Sequence, residues 1–427
     1  MVTNANAGTE WTRERIERFL ADEELRYQKI RLPFGLSTPG EEREQACDVA
    51  FGPDLSGRSV LDIGSYLGYF CLAARERGAG RVVGWEIDAE RRRMARTLAE
   101  IKGLDVEYRG GDVEECAGDE RFDVVLCLNV LHHLRDPIAV LDKLIRMTRE
   151  TLVLEVATLG AHDRKKFRLS AIAARLIALA PVILVGSGDT SGKGSQQKFF
   201  LTRRAVANLL QSQRNAFATV EFIDSEFKGR FLVTARKRRV DELIVVAGPT
   251  SSGKSTLIDE LRAGRHPGLA RRLRLESLAD VPFLGASKLA CDETLHYPRL
   301  LFHYDILRPF DRSAKTHERD ESLDILRAAK RISFVTLYTD AARLRAQIEK
   351  GELSVPKPTS RHLKVARLYE REPAVRNLYD RWFEFIDGLD GKLDGEVQVR
   401  LVVERQTGVA GGDLRIEPQD EFRASRP

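Results

Sequence analysis

Eight residues near the middle of the chain, Gly248-Pro249-Thr250-Ser251-Ser252-Gly253-Lys254-Ser255, restrict the fold more than any other stretch. They follow a continuous apolar run, Leu243-Ile244-Val245-Val246-Ala247, and lead into Thr256-Leu257-Ile258-Asp259-Glu260-Leu261, which has helical spacing. A buried strand, a loop with the spacing G-x-x-x-x-G-K-S and a helix make a phosphate-binding unit. The glycines let successive backbone N–H groups turn towards phosphate oxygens, and the start of the helix adds partial positive charge. Gly248, Ser251, Ser252, Gly253, Lys254, Ser255 and Thr256 would surround the phosphates. Lys254 would reach the β- and γ-phosphates, and the Ser255 hydroxyl would ligate Mg²⁺. A glycine-rich turn with no ligand has no need of the lysine and serine in this order. A nucleotide-binding domain with ATP and Mg²⁺ as ligands is therefore expected from residue 241 onwards.

At 427 residues the chain is long enough for two or three domains, each with its own core. A hydrophobic content of 43% and a charged content of 31% describe an ordinary globular protein. The net charge of +5 is small for this length, so RNA is left open as a partner without being indicated. The five cysteines, Cys47, Cys71, Cys116, Cys127 and Cys291, have neither metal-ligand spacing nor a disulfide framework. They read as free thiols of a reducing, cytoplasmic setting. Residues 1–10 are polar, lack the apolar core of a signal peptide and are expected to be without order. The most apolar window, 171–185, is broken by Arg175 and Pro181 and is too short to span a bilayer. It is expected to be a helix packed on a core or at the mouth of a pocket.

The first half alternates strands and helices. Residues 11–30 have the spacing of an amphipathic helix, and the Pro- and Gly-rich stretch 32–40 reads as a rigid extended loop. Apolar strand-like runs then follow at 59–63, 81–88, 106–108, 122–128 and 151–155. The first opens into the glycine-bearing turn Gly64-Ser65-Tyr66-Leu67-Gly68, and the third ends in Gly110-Gly111-Asp112. The fourth ends in Asn129-Val130-Leu131-His132-His133. Such alternation predicts an α/β fold, a doubly wound and mainly parallel sheet with its ligand at the carboxyl ends of the strands. The whole chain then comprises two doubly wound domains, a Rossmann-like one followed by the phosphate-loop domain.

Residues 59–155 resemble the class I S-adenosylmethionine-dependent methyltransferases. The family's first motif, acidic-x-Gly-x-x-x-Gly, is met by Asp62, Gly64 and Gly68. The resemblance implies that this turn, with Ser65, holds the methionine part of the donor. Many members carry a middle glycine where this chain has Tyr66, which implies a tighter turn or an aromatic wall. Glu86, with Asp88 as a weaker candidate, would bind the ribose hydroxyls, and Asp112 would lie near the adenine. Residues 122–137 resemble the family's fourth-strand motif with its HH-x-x-DP ending, and place Asn129 beside the donor. A dinucleotide site would want G-x-G-x-x-G, which is absent. The loop with Thr38-Pro39-Gly40 resembles the wobble-uridine tRNA methyl- and carboxymethyltransferases, although small-molecule and glycan methyltransferases carry similar loops. His132 and His133 are candidate general bases on an acceptor hydroxyl or nitrogen, or else order the loop by hydrogen bonding.

Residues 160–200 interrupt this pattern with a basic patch (Arg164, Lys165, Lys166, Arg168), the apolar window and the stretch 186–195, expected to be a flexible lid. A helix over 202–213 and a hairpin of 218–223 with 230–235 would complete the domain. Arg236-Lys237-Arg238-Arg239 reads as a solvated junction. In the second half an apolar run ending in Asp305 resembles a strand whose carboxylate holds Mg²⁺ or takes a proton from an attacking hydroxyl, with Asp292 and Glu293 as alternatives. A strand at 332–338, a helix at 341–350, a basic stretch and a last strand at 397–403 resemble the nucleoside- and nucleotide-kinase-like branch of P-loop proteins. In that branch a basic lid closes over the transferring phosphoryl group, and Arg361 and Arg367 are its candidates here. Residues 406–427 are expected to lack order.

The expected domains are thus 11–238, a methyltransferase, and 241–405, a kinase-like domain. Catalytic candidates are His132, His133, Lys254 and Asp305, and the metal ligands Ser255 and Asp305. The expected enzyme is bifunctional, moving a methyl group and a phosphoryl group onto a small-molecule or glycan substrate. Two alternatives stand beside it. The P-loop domain would hydrolyse ATP or GTP as a regulatory module, or the methyl acceptor would be RNA. Neither the oligomeric state nor the order of the steps is legible.

Overall fold

The computed structural model describes residues 11–116, 118–187, 197–212, 217–274, 278–311, 316–352, 360–406 and 413–426. The chain divides into two compact units at Arg236/Lys237, with the short segment Gln211–Ala218 belonging to the second. The expected disorder of residues 1–10 and most of the expected lid, 188–195, lie outside the described residues.

The first unit contains β1 (Ser59–Ile63), β2 (Arg81–Trp85), β3 (Glu107–Arg109), β4 (Phe122–Leu128), β5 (Thr148–Ala157), β6 (Ile183–Ser187), β7 (Gln197–Leu201), β8 (Phe217–Asp224) and β9 (Arg230–Lys237). Seven of them form one sheet in the order β3-β2-β1-β4-β5-β9-β8. The pairs from β3 to β5 are parallel, and β9 runs antiparallel to β5. Val60, Leu61, Val83 and Val124 to Cys127 are shielded on both faces, as strands covered by helices on two sides must be. Asp123 fixes the start of the β1–β4 pair by accepting the Ser59 N–H at 2.7 Å and the Ser59 hydroxyl at 2.8 Å. The strand order reverses between β1 and β4, so their carboxyl ends open a crevice.

The N-terminal helix is shorter than its periodicity suggests, Arg13–Asp22, with Thr12 capping it. In the following loop the Thr38 hydroxyl donates to the Gln28 carbonyl at 2.6 Å and accepts the Ile30 N–H at 2.7 Å. A side chain at Gly40 would lie 2.7 Å from the backbone of Tyr27 and Gln28. The loop is therefore pinned by close backbone approach as well as by its prolines.

The apolar window is a correction to the sequence reading. It forms a helix, Ala171–Leu179, in which no residue is buried, and the start of a hairpin, β6 with β7. Ile172 and Leu176 are 74% and 64% exposed. Ala173, Ala174 and Ile177 form its half-buried side, and Ile172, Leu176 and Leu179 its exposed one. The helix expected over 202–213 is Arg203–Ala207 running into a π-helical turn, Asn208–Ser212.

The second unit contains β10 (Arg239–Gly248), β11 (Phe283–Gly285), β12 (His296–Asp305), β13 (Ala329–Tyr338), β14 (Glu396–Arg405) and β15 (Leu414–Pro418). Its sheet runs β11-β12-β10-β13-β14-β15, parallel up to the last strand, which pairs antiparallel. β10 is central, and Leu243 to Ala247 are fully shielded between its neighbours. Each of the Leu, Ile and Val side chains among them contributes about 1.5–3 kcal/mol by leaving water.

Two further expectations are corrected. Arg238 is not solvated: it is 1% exposed, and its guanidinium donates to the carbonyls of Leu289, at 2.6 Å, and Asp292. With the Phe217 carbonyl, which accepts at 3.1 Å, three backbone oxygens use that donor, which outweighs the usual preference of arginine for water. The tail is ordered over 413–426. β15 covers the edge of β14, and the helix Gln419–Ala424 inserts Phe422 against Tyr338, with ring centroids 4.9 Å apart.

Candidate functional site

At the crevice of the first unit, the turn after β1 hangs on the end of β2. The N–H groups of Gly64 and Ser65 both donate to the Trp85 carbonyl, at 2.7 and 3.1 Å. Gly68 has φ 83° and starts the helix Tyr69–Glu76; a Cβ there would lie 2.1 Å from the Tyr108 hydroxyl. Tyr66 takes a left-handed conformation, φ 53°, of the kind that favours glycine. Its ring stands edge-on to Tyr27 at 5.3 Å and lies beneath the Arg91 guanidinium at 4.6 Å. The expected alternatives, tight turn and aromatic wall, both describe it.

Glu86 follows β2 and is 4% exposed. Its carboxylate accepts the Tyr66 N–H and the Asp88 N–H, each at 3.0 Å and each on a different oxygen. Each oxygen thereby makes one hydrogen bond, the Arg91 guanidinium lies 3.9 Å from the one that takes the Asp88 N–H, and the remaining lone pairs suit a hydroxyl pair. Asp88 is occupied in capping the helix Ala89–Lys102. Asp112 accepts the Glu114 N–H at 2.8 Å and pairs with Arg135 at 3.2 Å. Asp62 is buried beside Cys71, whose thiol donates to it at 3.7 Å; burial, reinforced by the charge of Glu86, pushes its carboxyl up to about 7.

Across the crevice, Asn129 has φ 63° and donates from its amide to the Tyr27 hydroxyl at 3.3 Å. The following turn, Leu131–His133, carries both histidines, with ring centroids 3.9 Å apart. Burial, together with the charge of His133, Lys198 and Arg230, lowers His132 to about 3, and burial also depresses His133. Both shifts favour the neutral imidazole.

A buried charge cluster beside this turn was not anticipated. Glu155, near the end of β5, is fully buried; it accepts Arg43 at 2.7 Å and the Ser225 hydroxyl at 2.8 Å and forms an ion pair with Arg230 at 3.5 Å. The Phe227 ring faces both guanidiniums, at 4.6 and 5.5 Å. Arg43 is 3% exposed, and its Nε and Nη1 find no hydrogen-bond partner among the described residues. The same holds for Ser65 Oγ, Asn129 Oδ1, Tyr108 Oη and His132 Nδ1. Buried polar atoms are normally satisfied, so these groups fit a polar ligand that would complete them. An acid closing a buried apolar strand was the available sequence signal for Glu155; Arg43 had none.

In the second unit the loop between β10 and the helix Lys254–Arg262 turns through left-handed φ at Ser251 (65°) and Gly253 (90°). Lys254 is 4% exposed, and its ammonium donates to the Pro249 carbonyl at 2.6 Å; burial lowers it to about 8. Ser252 is buried, whereas Ser255 and Thr256 are exposed on the first turn. Gly248 and Asp305 are register partners across β10 and β12, and the Thr250 hydroxyl donates to the Asp305 carboxylate. The fold thus brings Asp305 to the loop, while Asp292 accepts the N–H of Thr294 in a turn. Tyr369 was missed: its hydroxyl donates to the Thr250 carbonyl at 2.8 Å from the last turn of the helix Ser360–Tyr369, which also carries Arg367. Nothing is described of the Arg361 side chain.

Residues 40–214 match the model of a family described as a methyltransferase domain. A ubiquinone biosynthesis O-methyltransferase of Rhodopseudomonas palustris is 33% identical over 123 residues, 29% of this chain and 48% of that protein. Its counterpart in Nitrobacter winogradskyi is 32% identical over the same length, covering 29% and 46%. The chain therefore spans about half the length of the curated relatives it matches. The N-terminal domain of EvdMO1, solved in the presence of SAH and D-fucose, is 22% identical over 54% of this chain and all of that one, with a TM-score of 0.42. The first half of the chain carries a methyltransferase domain, on an α/β fold with a mostly parallel sheet. Among the described residues no helix is long and apolar enough to cross a membrane.

Proposed function

We propose that this chain, whose residues 40–214 carry a methyltransferase domain, transfers the methyl group of S-adenosylmethionine to a hydroxyl of a small molecule. The observation that carries the reading is Glu86, buried, tied to the turn after β1 and presenting two half-satisfied oxygens at the end of β2. It is suited to a ribose diol. Arg43, with two unpartnered buried nitrogens, is suited to the donor's carboxylate. Ser65 and Asn129 would complete the contacts. The relatives' printed name, an O-methyltransferase, supports an oxygen acceptor.

The donor, when bound, supplies a methyl group on a sulfonium centre. The chain's own part is alignment, exclusion of water and removal of one proton. Alignment within contact distance supplies much of the rate of such a transfer. His133, kept neutral, would take the acceptor's hydroxyl proton on a ring nitrogen, and His132 packs against it. The test is calorimetry with S-adenosylhomocysteine, followed by transfer of labelled methyl to hydroxylated metabolites. Absence of binding at millimolar ligand would end the reading.

A second activity is proposed for the second unit, phosphoryl transfer from ATP. Its support is the Gly248–Ser255 loop with Asp305 in register beside it. Ser255 and Asp305 are a hydroxyl and a carboxylate suited to Mg²⁺, an ion that takes few protein ligands and keeps waters and phosphates as the rest. Lys254 would turn from the Pro249 carbonyl to the phosphates. Rapid ATP hydrolysis without any acceptor would make this unit a nucleotide-driven module instead.

A further inference from the structure

Two cations, Lys198 and Arg230, stand on the strands beside the Leu131–His133 turn of the first unit. β7 packs against the turn Leu131–His133 and against β5. Lys198, on β7 opposite Gly186, has its ammonium 5.1 Å from the Phe200 ring, and no carboxylate among the described residues pairs with it. Arg230 stands opposite Ala157, at the very end of β5, and shares Glu155 with Arg43. Two guanidiniums divide one carboxylate there, and Lys198 adds another positive charge. Both Lys198 and Arg230 act electrostatically on both histidines. His132 is itself 3% exposed with an unpartnered Nδ1. A neutral acceptor would leave this excess uncompensated beside two imidazoles.

We infer that the methyl acceptor carries an oxyanion, met by Lys198 and Arg230, which holds the acceptor hydroxyl at the His132–His133 turn. The inference rests on the methyl-transfer reading and adds the substrate class. Arg43 lies deeper and is committed to Glu155 and the donor, so the acceptor's anion falls to the two outer cations. A carboxylate and a phosphate share the required chemistry: planar or tetrahedral oxygens taking charge-assisted hydrogen bonds from arginine and lysine.

The experiment uses the full chain loaded with S-adenosylhomocysteine and three ring-matched probes: phenyl phosphate, benzoate and neutral benzamide. Binding is followed by ligand-observed NMR titration, at low and high salt. At least one anion is expected to saturate the protein while benzamide does not, and the stronger of the two anions assigns phosphate or carboxylate. Lys198→Glu is expected to weaken that anion about tenfold or more. Lys198→Arg should retain most of the binding, which a merely structural role would not predict. Affinity for S-adenosylhomocysteine should stay unchanged in both variants. Equal binding of benzamide, failure of both anions, or indifference to Lys198→Glu would overturn the inference while leaving the methyl-donor reading intact. Failure of S-adenosylhomocysteine itself to bind would instead overturn that underlying reading.

Discussion

The backbone N–H of Tyr66 donates to the Glu86 carboxylate at 3.0 Å, so one buried acid ties the turn after β1 to the end of β2. The other oxygen takes the Asp88 N–H. Glu86→Gln keeps the shape but replaces one acceptor oxygen with a donor, which must then face an N–H. Affinity for S-adenosylhomocysteine is expected to fall on the order of thirtyfold, the worth of about 2 kcal/mol in charge-assisted hydrogen bonds. Calorimetry checks it; an unchanged Kd would remove Glu86 from the donor site.

Gly68→Ala tests the turn itself. The residue has φ 83°, and the new methyl would meet the Tyr108 hydroxyl at 2.1 Å. Donor binding should be abolished, and thermal unfolding of the first unit should move down by on the order of 5 °C. Gly52→Ala, where a Cβ meets nothing within 4 Å, is the control and should change neither.

Asp62 gives a dependence on pH with a definite sign. Its folded carboxyl titrates near 7, against 3.8 for the free group. Between those values the folded chain holds a proton that the unfolded chain has released, so this group's contribution to stability falls as pH rises from about 4 to about 7. Asp62→Asn removes the penalty of an ionised buried carboxylate. The variant's Tm relative to the parent should therefore be higher at pH 8 than at pH 5, by several degrees, on the order of 5 °C. A difference in Tm that is flat with pH would contradict it.

Lys254 has the opposite lesson. Burial lowers its ammonium to about 8, so the charge available to a phosphate fades as pH climbs through that value. ATP affinity, read by fluorescence of a labelled nucleotide, is expected to weaken above pH 8 in the parent. Lys254→Ala should cost at least about a hundredfold in affinity or transfer, because the buried loop would then offer the phosphates no ammonium. S-adenosylhomocysteine binding should be untouched.

Features that lie close together in the chain were the legible ones. The loop from Gly248 to Ser255 and the strand before it are one local pattern, and so is the turn from Asp62 to Gly68. Periodicity also indicated the five strands from β1 to β5. Arg43 and Glu155 are 112 positions apart, and no local spacing announces that one buried carboxylate will hold two arginines. Arg238 sits in a run of four basic residues that looks solvated, yet three carbonyls accept from its guanidinium. The window 171–185 misled in the other direction: its helix buries no residue and keeps Ile172, Leu176 and Leu179 exposed. Beyond residue 405, Leu414 and Ile416 alternate with Arg415 and Glu417, a half-buried strand too brief to stand out from a loop.

That short strand has a practical consequence. β14 would be the edge strand of its sheet were it not for β15, which runs back along it from Arg405↔Leu414 to Leu401↔Pro418. A chain cut after Arg405 would bare a row of unpaired N–H and C=O groups flanked by Val402 and Val403, a template on which a second molecule can add its own strand. Residues 413–426 thus cover that edge and add Phe422 to the core, and shortened versions of this protein are expected to self-associate through the bared strand.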